Sequence, residues 1–119
     1  MDISHLHLHV RDRKRATEFY RRWFGLTVRR EGDDITFLTG TDNFLLALMG
    51  DADPSPAPPW LHFGMRMPTA TALHDLLQRM EAAEVPMAKP LYEDAGFASF
   101  RCRDPDGYAI EVYWEAAAP

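Results

Sequence analysis

The sequence predicts an α+β fold made of two modules, each with the element order β-α-β-β-β. A proline-rich segment divides the chain near its middle, and each half combines one amphipathic helix pattern with several short strand patterns. The length of 119 residues, with 46% hydrophobic and 26% charged residues, suits one domain. We therefore expect a single domain over residues 1–119, with a first module at 1–50, a linker at 51–59 and a second module at 60–119.

The first module opens with an alternating segment, Ile3–Val10, in which the leucines point to one face and the histidines to the other. Asp12 is placed to cap a following helix, and Gly25 is placed to end it. Apolar residues at helical spacing predict that this helix packs on a sheet. Three strands are then expected, near Leu26–Arg30, Ile35–Thr39 and Phe44–Met49.

The linker reads DADPSPAPP and holds four prolines in nine positions, which cannot continue a helix or a central strand. After it, the same order of elements is predicted again. It begins with a strand at Trp60–Met67 and a helix from about Thr71 to Ala83. Further strands are expected near Met87, Phe97–Arg103 and Tyr108–Trp114. Each half thus has one helix, which covers one face of a four-stranded sheet and leaves the other face for a core or a cavity.

Charge and composition exclude several classes of partner. With 13 Lys and Arg against 18 Asp and Glu, the net charge of −5 disfavours nucleic acid and anionic membrane surfaces. The single cysteine, Cys102, cannot form an internal disulfide, and no apolar run approaches the roughly 20 residues of a membrane span. Since the N-terminus also lacks an apolar signal-peptide core, we expect a cytoplasmic protein.

The candidate functional residues lie on the sheet faces that point away from the helices. Alternation places His5, His7 and His9 on this face of the first strand, His62 on the strand after the linker and Glu111 on the last strand. Two histidines and a glutamate from three strands can converge, and this is the ligand set of a two-His, one-carboxylate metal site with open positions. Half-buried strands also place solvated His and Glu on a polar face, and the pattern alone leaves both interpretations open.

Other residues on these faces are candidates for substrate contact. His7 is interpreted as a residue that faces the substrate. Its other possible roles are an alternative metal ligand, a proton shuttle or a solvated polar side chain. Trp60 and Tyr113 suit either a pocket wall or the core between modules. Arg66 and Arg101 suit either anion anchors or structural ion pairs.

Three segments resemble one known family. They are HLHLHV at His5–Val10 leading into ATEFYRRWFG, HFGM at His62–Met65, and DPDGYAIE at Asp104–Glu111, of which the last is the most specific. They resemble the vicinal oxygen chelate superfamily, which includes glyoxalase I, fosfomycin-resistance thiol transferases, bleomycin-resistance proteins and extradiol dioxygenases. The resemblance implies that the two modules curve into a metal-bearing cup with helices outside. It also implies that His5, His62 and Glu111 are the ligands.

Two departures from the family pattern refine this expectation. Ala47 stands where a fourth ligand, a glutamate, is found in glyoxalases, so a three-ligand site is expected and methylglyoxal chemistry is disfavoured. The segment before the turn reads FRC where fosfomycin enzymes and dioxygenases often show F-Y-F, which puts Arg101 on the cup face. A guanidinium there suits a carboxylate or phosphonate substrate.

The resemblance implies an enzyme that binds Fe, Mn, Zn or Ni and chelates a small oxygen-bearing substrate, acting as a lyase, isomerase, thiol transferase or dioxygenase. His7, Arg101 and Tyr113 are expected to contact this substrate or transfer a proton. A homodimer is expected, in which metal sites are built within one chain or shared between two. The alternative is a metal-free protein of the bleomycin-resistance type that sequesters its ligand.

Overall fold

A computed structural model describes residues 1–117, and contacts divide the chain into two compact units whose boundary falls between Pro56 and Ala57. This boundary lies inside the proline-rich segment. No helix within the described residues is long and apolar enough to cross a membrane.

The first unit is a four-stranded sheet with one helix. Strand β1 lies parallel to β4, and β2, β3 and β4 are antiparallel, in the sheet order β1-β4-β3-β2. The elements are β1 (His5–Val10), α1 (Arg13–Phe24), β2 (Thr27–Glu31), β3 (Ile35–Thr39) and β4 (Leu45–Gly50). The predicted order β-α-β-β-β is confirmed for this half.

The ends of α1 follow from local chemistry. The Asp12 side chain accepts a hydrogen bond from the Arg15 backbone N–H at 3.1 Å and so satisfies a donor in the first turn. Gly25 ends the helix with φ at 67°, a left-handed conformation that glycine adopts without steric cost. Ala16 and Tyr20 are buried on α1, which packs against β3 and β4 of this sheet.

The second unit repeats this arrangement. Strand β5 lies parallel to β8, β8 and β6 both lie antiparallel to β7, and the sheet order is β5-β8-β7-β6. The elements are β5 (His62–Arg66), α2 (Ala70–Ala82), β6 (Met87–Asp94), β7 (Phe97–Arg103) and β8 (Ala109–Glu115). The second β-α-β-β-β module is therefore also confirmed.

Two predicted segments differ from the observed ones. Trp60 does not open β5, because the Leu61 N–H donates to the Pro58 carbonyl at 3.0 Å and holds this stretch in a turn. Strand β6 is longer than expected and continues through Pro90, with register irregularities on either side of Lys89. It lies at the edge of its sheet, where a residue without an N–H is tolerated.

Candidate functional site

Two of the three predicted metal ligands lie on neighbouring strands of the second unit. His62 on β5 pairs in register with Ala109 on β8, and Gly64 pairs with Glu111. Because residues two apart on a strand share a face, the side chains of His62 and Glu111 point to the same side of the sheet. The face is the one opposite buried Ile110 and Val112.

A backbone contact selects the tautomer of His62. Its Nδ1 lies 3.0 Å from the carbonyl oxygen of Trp60. Since a carbonyl oxygen can only accept, Nδ1 must carry the proton, and the lone pair of the neutral ring is then on Nε2. Metal-binding histidines are commonly oriented in this way by a carbonyl on the second ring nitrogen. The side chain is exposed, so Nε2 is reachable from solvent.

The Glu111 carboxylate is oriented by two residues of β7. Its Oε2 accepts a hydrogen bond from Ser99 Oγ at 3.0 Å and lies 4.0 Å from the Arg101 guanidinium. Arg101 and Glu111 are directly opposite in the β7–β8 register, with side chains 19% and 25% exposed. The carboxylate is thus fixed in direction and still partly open to solvent.

Arg101 has unused hydrogen-bonding capacity. Its Nε is buried and has no hydrogen-bond partner within the described part of the chain. A buried donor without an acceptor is costly, and a ligand oxygen or a water molecule would satisfy it. Of the two predicted anion anchors, Arg101 is therefore the better placed, since Arg66 forms an ion pair with Glu115.

Tyr113 on β8 forms an aromatic wall over the neighbouring strand. A Cβ added at Gly64 would lie 3.1 Å from Tyr113 Cε1, so glycine leaves the room that the ring occupies. Phe97 stacks on the ring at a centroid distance of 6.5 Å, and the Arg66 guanidinium lies 5.7 Å from the centre of the Tyr113 ring. The ring is thereby positioned on the same sheet face as Glu111.

Trp60 has a different place from the one expected. Its side chain is 71% exposed and precedes β5, while its backbone carbonyl holds His62. Sequence analysis assigned no role to this carbonyl or to Ser99. Strand alternation was a usable signal for Ser99, because it places the hydroxyl on the face that carries Arg101.

The remaining predicted residues lie on β1 of the first unit. His5 Nδ1 lies 3.0 Å from Ser4 Oγ, and the rings of His7 and His9 are in edge-to-face contact. Ala47 pairs with His7 in the register of β1 and β4 and is buried. The predicted triad draws one ligand from the first unit and two from the second, and within residues 1–117 neither unit alone gathers three His, Cys, Asp or Glu side chains suited to a metal.

Cys102 carries no reactive thiol. The side chain is buried beside Phe100 on the helix-facing side of the second sheet, as expected from the sequence. Burial raises the pKa of Cys102 to about 12, so the thiol stays neutral near pH 7.

Comparisons with known proteins agree with this architecture. A search of curated proteins finds no match. Among solved structures, a possible glyoxalase from Bacillus cereus is 29% identical, with 94% of this chain and 97% of that chain covered and a TM-score of 0.82. A lactoylglutathione lyase from Agrobacterium tumefaciens is 25% identical, with 95% and 92% covered and a TM-score of 0.75.

The fosfomycin resistance protein FosX from Listeria monocytogenes is 18% identical, with 98% and 94% covered and a TM-score of 0.83, and it shows likeness of fold alone. The family model described as Glyoxalase/Bleomycin resistance protein/Dioxygenase superfamily matches residues 2–112. The chain belongs to this superfamily.

Proposed function

We propose that the protein is a metal-dependent enzyme that chelates a small oxygen-bearing substrate at a site made by His5, His62 and Glu111. The observation that carries this proposal is the hydrogen bond from His62 Nδ1 to the Trp60 carbonyl, which presents Nε2 for ligation. The orientation of Glu111 by Ser99 gives further support. Membership of the superfamily supports the same chemistry.

The donor set fits a divalent cation. Two imidazoles and one carboxylate suit Fe, Mn, Zn or Ni and leave positions for substrate oxygens. When bound, such an ion polarises a substrate oxygen and stabilises negative charge that develops on it. His62 and Glu111 supply two of the ligands from one sheet face, and Ser99 keeps the carboxylate in place.

The substrate is proposed to be anionic. Arg101 lies beside Glu111, and its buried Nε lacks an acceptor within residues 1–117. A carboxylate or phosphonate oxygen would satisfy this donor and pair with the guanidinium. Tyr113 is positioned to contact the same substrate, while the predicted proton-transfer role of His7 and the substrate contacts of Trp60 and Arg66 stay predictions.

The reaction is proposed to be that of a lyase, isomerase, thiol transferase or dioxygenase, since one triad serves all four. A homodimer is proposed as the working form. Because the three ligands come from both units, each site can be completed within one chain or by two chains.

The alternative is a metal-free protein that sequesters an aromatic or cationic ligand. It is favoured by the 71% exposed indole of Trp60 and by the net charge of −5. It needs no ligation by His62 or Glu111, so the two functions differ in a measurable property.

Elemental analysis of untagged protein tests the proposal. Wild type is compared with His62→Ala and Glu111→Ala, and the matched controls are His74→Ala and Glu93→Ala, which disrupt another histidine–glutamate pair of the same unit. We expect about one metal ion per chain at the triad, lost in the first two variants and kept in the controls. Equal metal content in all five proteins would refute the triad, and no metal after reconstitution would favour the sequestering protein.

A further inference from the structure

Three aromatic rings form a row across β6, β7 and β8 of the second unit. The rings of Tyr92 and Phe97 have centroids 6.4 Å apart, and those of Phe97 and Tyr113 have centroids 6.5 Å apart. Tyr92 pairs with Ser99 in the β6–β7 register, and Ser99 pairs with Tyr113 in the β7–β8 register. Because paired residues share a sheet face, this aromatic row lies on the face that carries Glu111.

The aromatic row is not part of a buried core. The side chain of Tyr92 is 59% exposed, and Phe97 and Tyr113 are half-buried, whereas Phe100 and Val112 on the opposite face of the same strands are buried. Apolar surface of this kind gains free energy when a ligand covers it. An aromatic ligand gains more than its buried area alone provides, because rings have a preferred contact geometry.

The two sides of the aromatic row differ in charge. On one side, Asp94 accepts hydrogen bonds from the Gly96 backbone N–H at 2.9 Å and from the Tyr92 hydroxyl at 3.0 Å. These bonds lower the pKa of Asp94, so this carboxyl is ionised near pH 7. On the other side, Arg101 is a diagonal cross-strand neighbour of Tyr113, a relation of about 7–8 Å between Cα atoms that long side chains can bridge. An acidic group on a ring at this row is therefore repelled on the Asp94 side and attracted on the Arg101 side.

We propose that the aromatic row and Arg101 together bind an aromatic carboxylate, with its ring against the row and its carboxylate paired with the guanidinium. An independent observation also calls for an acceptor, since the buried Nε of Arg101 has no hydrogen-bond partner within the described part of the chain. The inference rests on the proposed function, because it names the substrate class of the same site. A metal ion on Glu111 would reduce the repulsion between the two carboxylates.

A nuclear magnetic resonance titration of isotope-labelled protein tests the inference, with benzoate as the probe. It is carried out on metal-free protein and again after addition of Zn²⁺. Acetate carries the same charge without the ring, and benzyl alcohol carries the ring without the charge. We expect benzoate to bind at least tenfold more tightly than either, because only benzoate uses both halves of the site. The backbone signals of Ser99, Arg101 and Tyr113 should shift on binding.

Two variants remove one half of the site each, with their folds checked by circular dichroism. Arg101→Gln should weaken benzoate binding at least tenfold, because the charged hydrogen-bond donor is lost. Tyr113→Leu should weaken it about threefold to tenfold and leave acetate binding unchanged. The matched controls are Arg79→Gln on α2 and Phe19→Leu on α1, which remove the same chemical groups from outside the sheet face and should leave benzoate affinity unchanged.

Metal content separates this inference from the proposed function. Selective benzoate binding by protein that takes up no metal would support the aromatic carboxylate site and not the metal-dependent enzyme. Metal bound at the triad, together with benzoate affinity no higher than that of acetate in both forms, would overturn the inference and leave the proposed function standing. An equal loss of benzoate affinity in Arg79→Gln and Arg101→Gln would also overturn it.

Discussion

The hydrogen bond between Ser99 and Glu111 allows a quantitative test of the site. Ser99→Ala removes one oxygen atom from a nearly buried position and leaves the Arg101 guanidinium 4.0 Å from the carboxylate. Hydrogen bonds to charged groups contribute about 1.5–3 kcal/mol to stability. Since Glu111 is 25% exposed, water can replace part of the bond, and we expect the free energy of unfolding to fall by about 1.5 kcal/mol.

Urea unfolding measures this loss directly. With a slope of roughly 1–3 kcal/mol per molar, the midpoint should move down by about 0.5–1.5 M. The control is Ser55→Ala, which removes an exposed hydroxyl and should shift the midpoint little. If Glu111 ligates a metal, Ser99→Ala should also lower metal affinity about tenfold, because it frees the ligand to rotate. A midpoint equal to that of the control would refute the energetic reasoning.

Three further predictions concern Gly25, Asp51 and Cys102. Gly25→Ala should reduce the free energy of unfolding by about 1 kcal/mol, because φ of 67° is unfavourable for alanine, and an unchanged urea midpoint would contradict this. Because His9 lowers the pKa of folded Asp51 below its unfolded value, the stability from this pair is present above the unfolded pKa and is lost as pH falls through the folded pKa. Asp51→Asn should therefore flatten the acid side of a stability–pH profile, and a profile parallel to wild type would show that the pair contributes nothing. Cys102 should react with a thiol reagent at pH 7 only as fast as the protein unfolds, since burial raises its pKa to about 12, and rapid labelling in native buffer would contradict the assignment to the core.

The fold was predictable because hydrophobic periodicity and helix caps are local signals. Asp12 caps the start of α1 and Gly25 ends it, as expected. The alternation in β1 correctly separates its leucines from its histidines. The errors have local physical causes. Trp60 lies in a turn because the Leu61 N–H donates a hydrogen bond to the Pro58 carbonyl. The strand pattern of β6 is interrupted by Pro90, which is tolerated because β6 is an edge strand.

The site was less predictable than the fold. Alternation correctly places His62, Arg101 and Glu111 on one sheet face, since a face depends only on odd and even positions. Alternation carries no information on which hydrogen-bond donor pairs with which acceptor. The Trp60 carbonyl that selects the His62 tautomer depends on backbone geometry in a turn, and the contact between His9 and Asp51 joins residues 42 positions apart.

The position of Arg101 links the two parts of the proposed site. At 4.0 Å from Glu111, and with both side chains partly exposed, the guanidinium has a modest attraction to the carboxylate and keeps an unused donor. If Glu111 coordinates a metal ion, the cation neutralises part of the negative charge of the carboxylate. The guanidinium of Arg101 is then held less strongly by Glu111, so it attracts a substrate anion more strongly. Reciprocity of binding free energies requires the anion to raise metal affinity by the same factor. Arg101 therefore provides a physical reason why metal and anionic substrate would bind together more tightly than either binds alone.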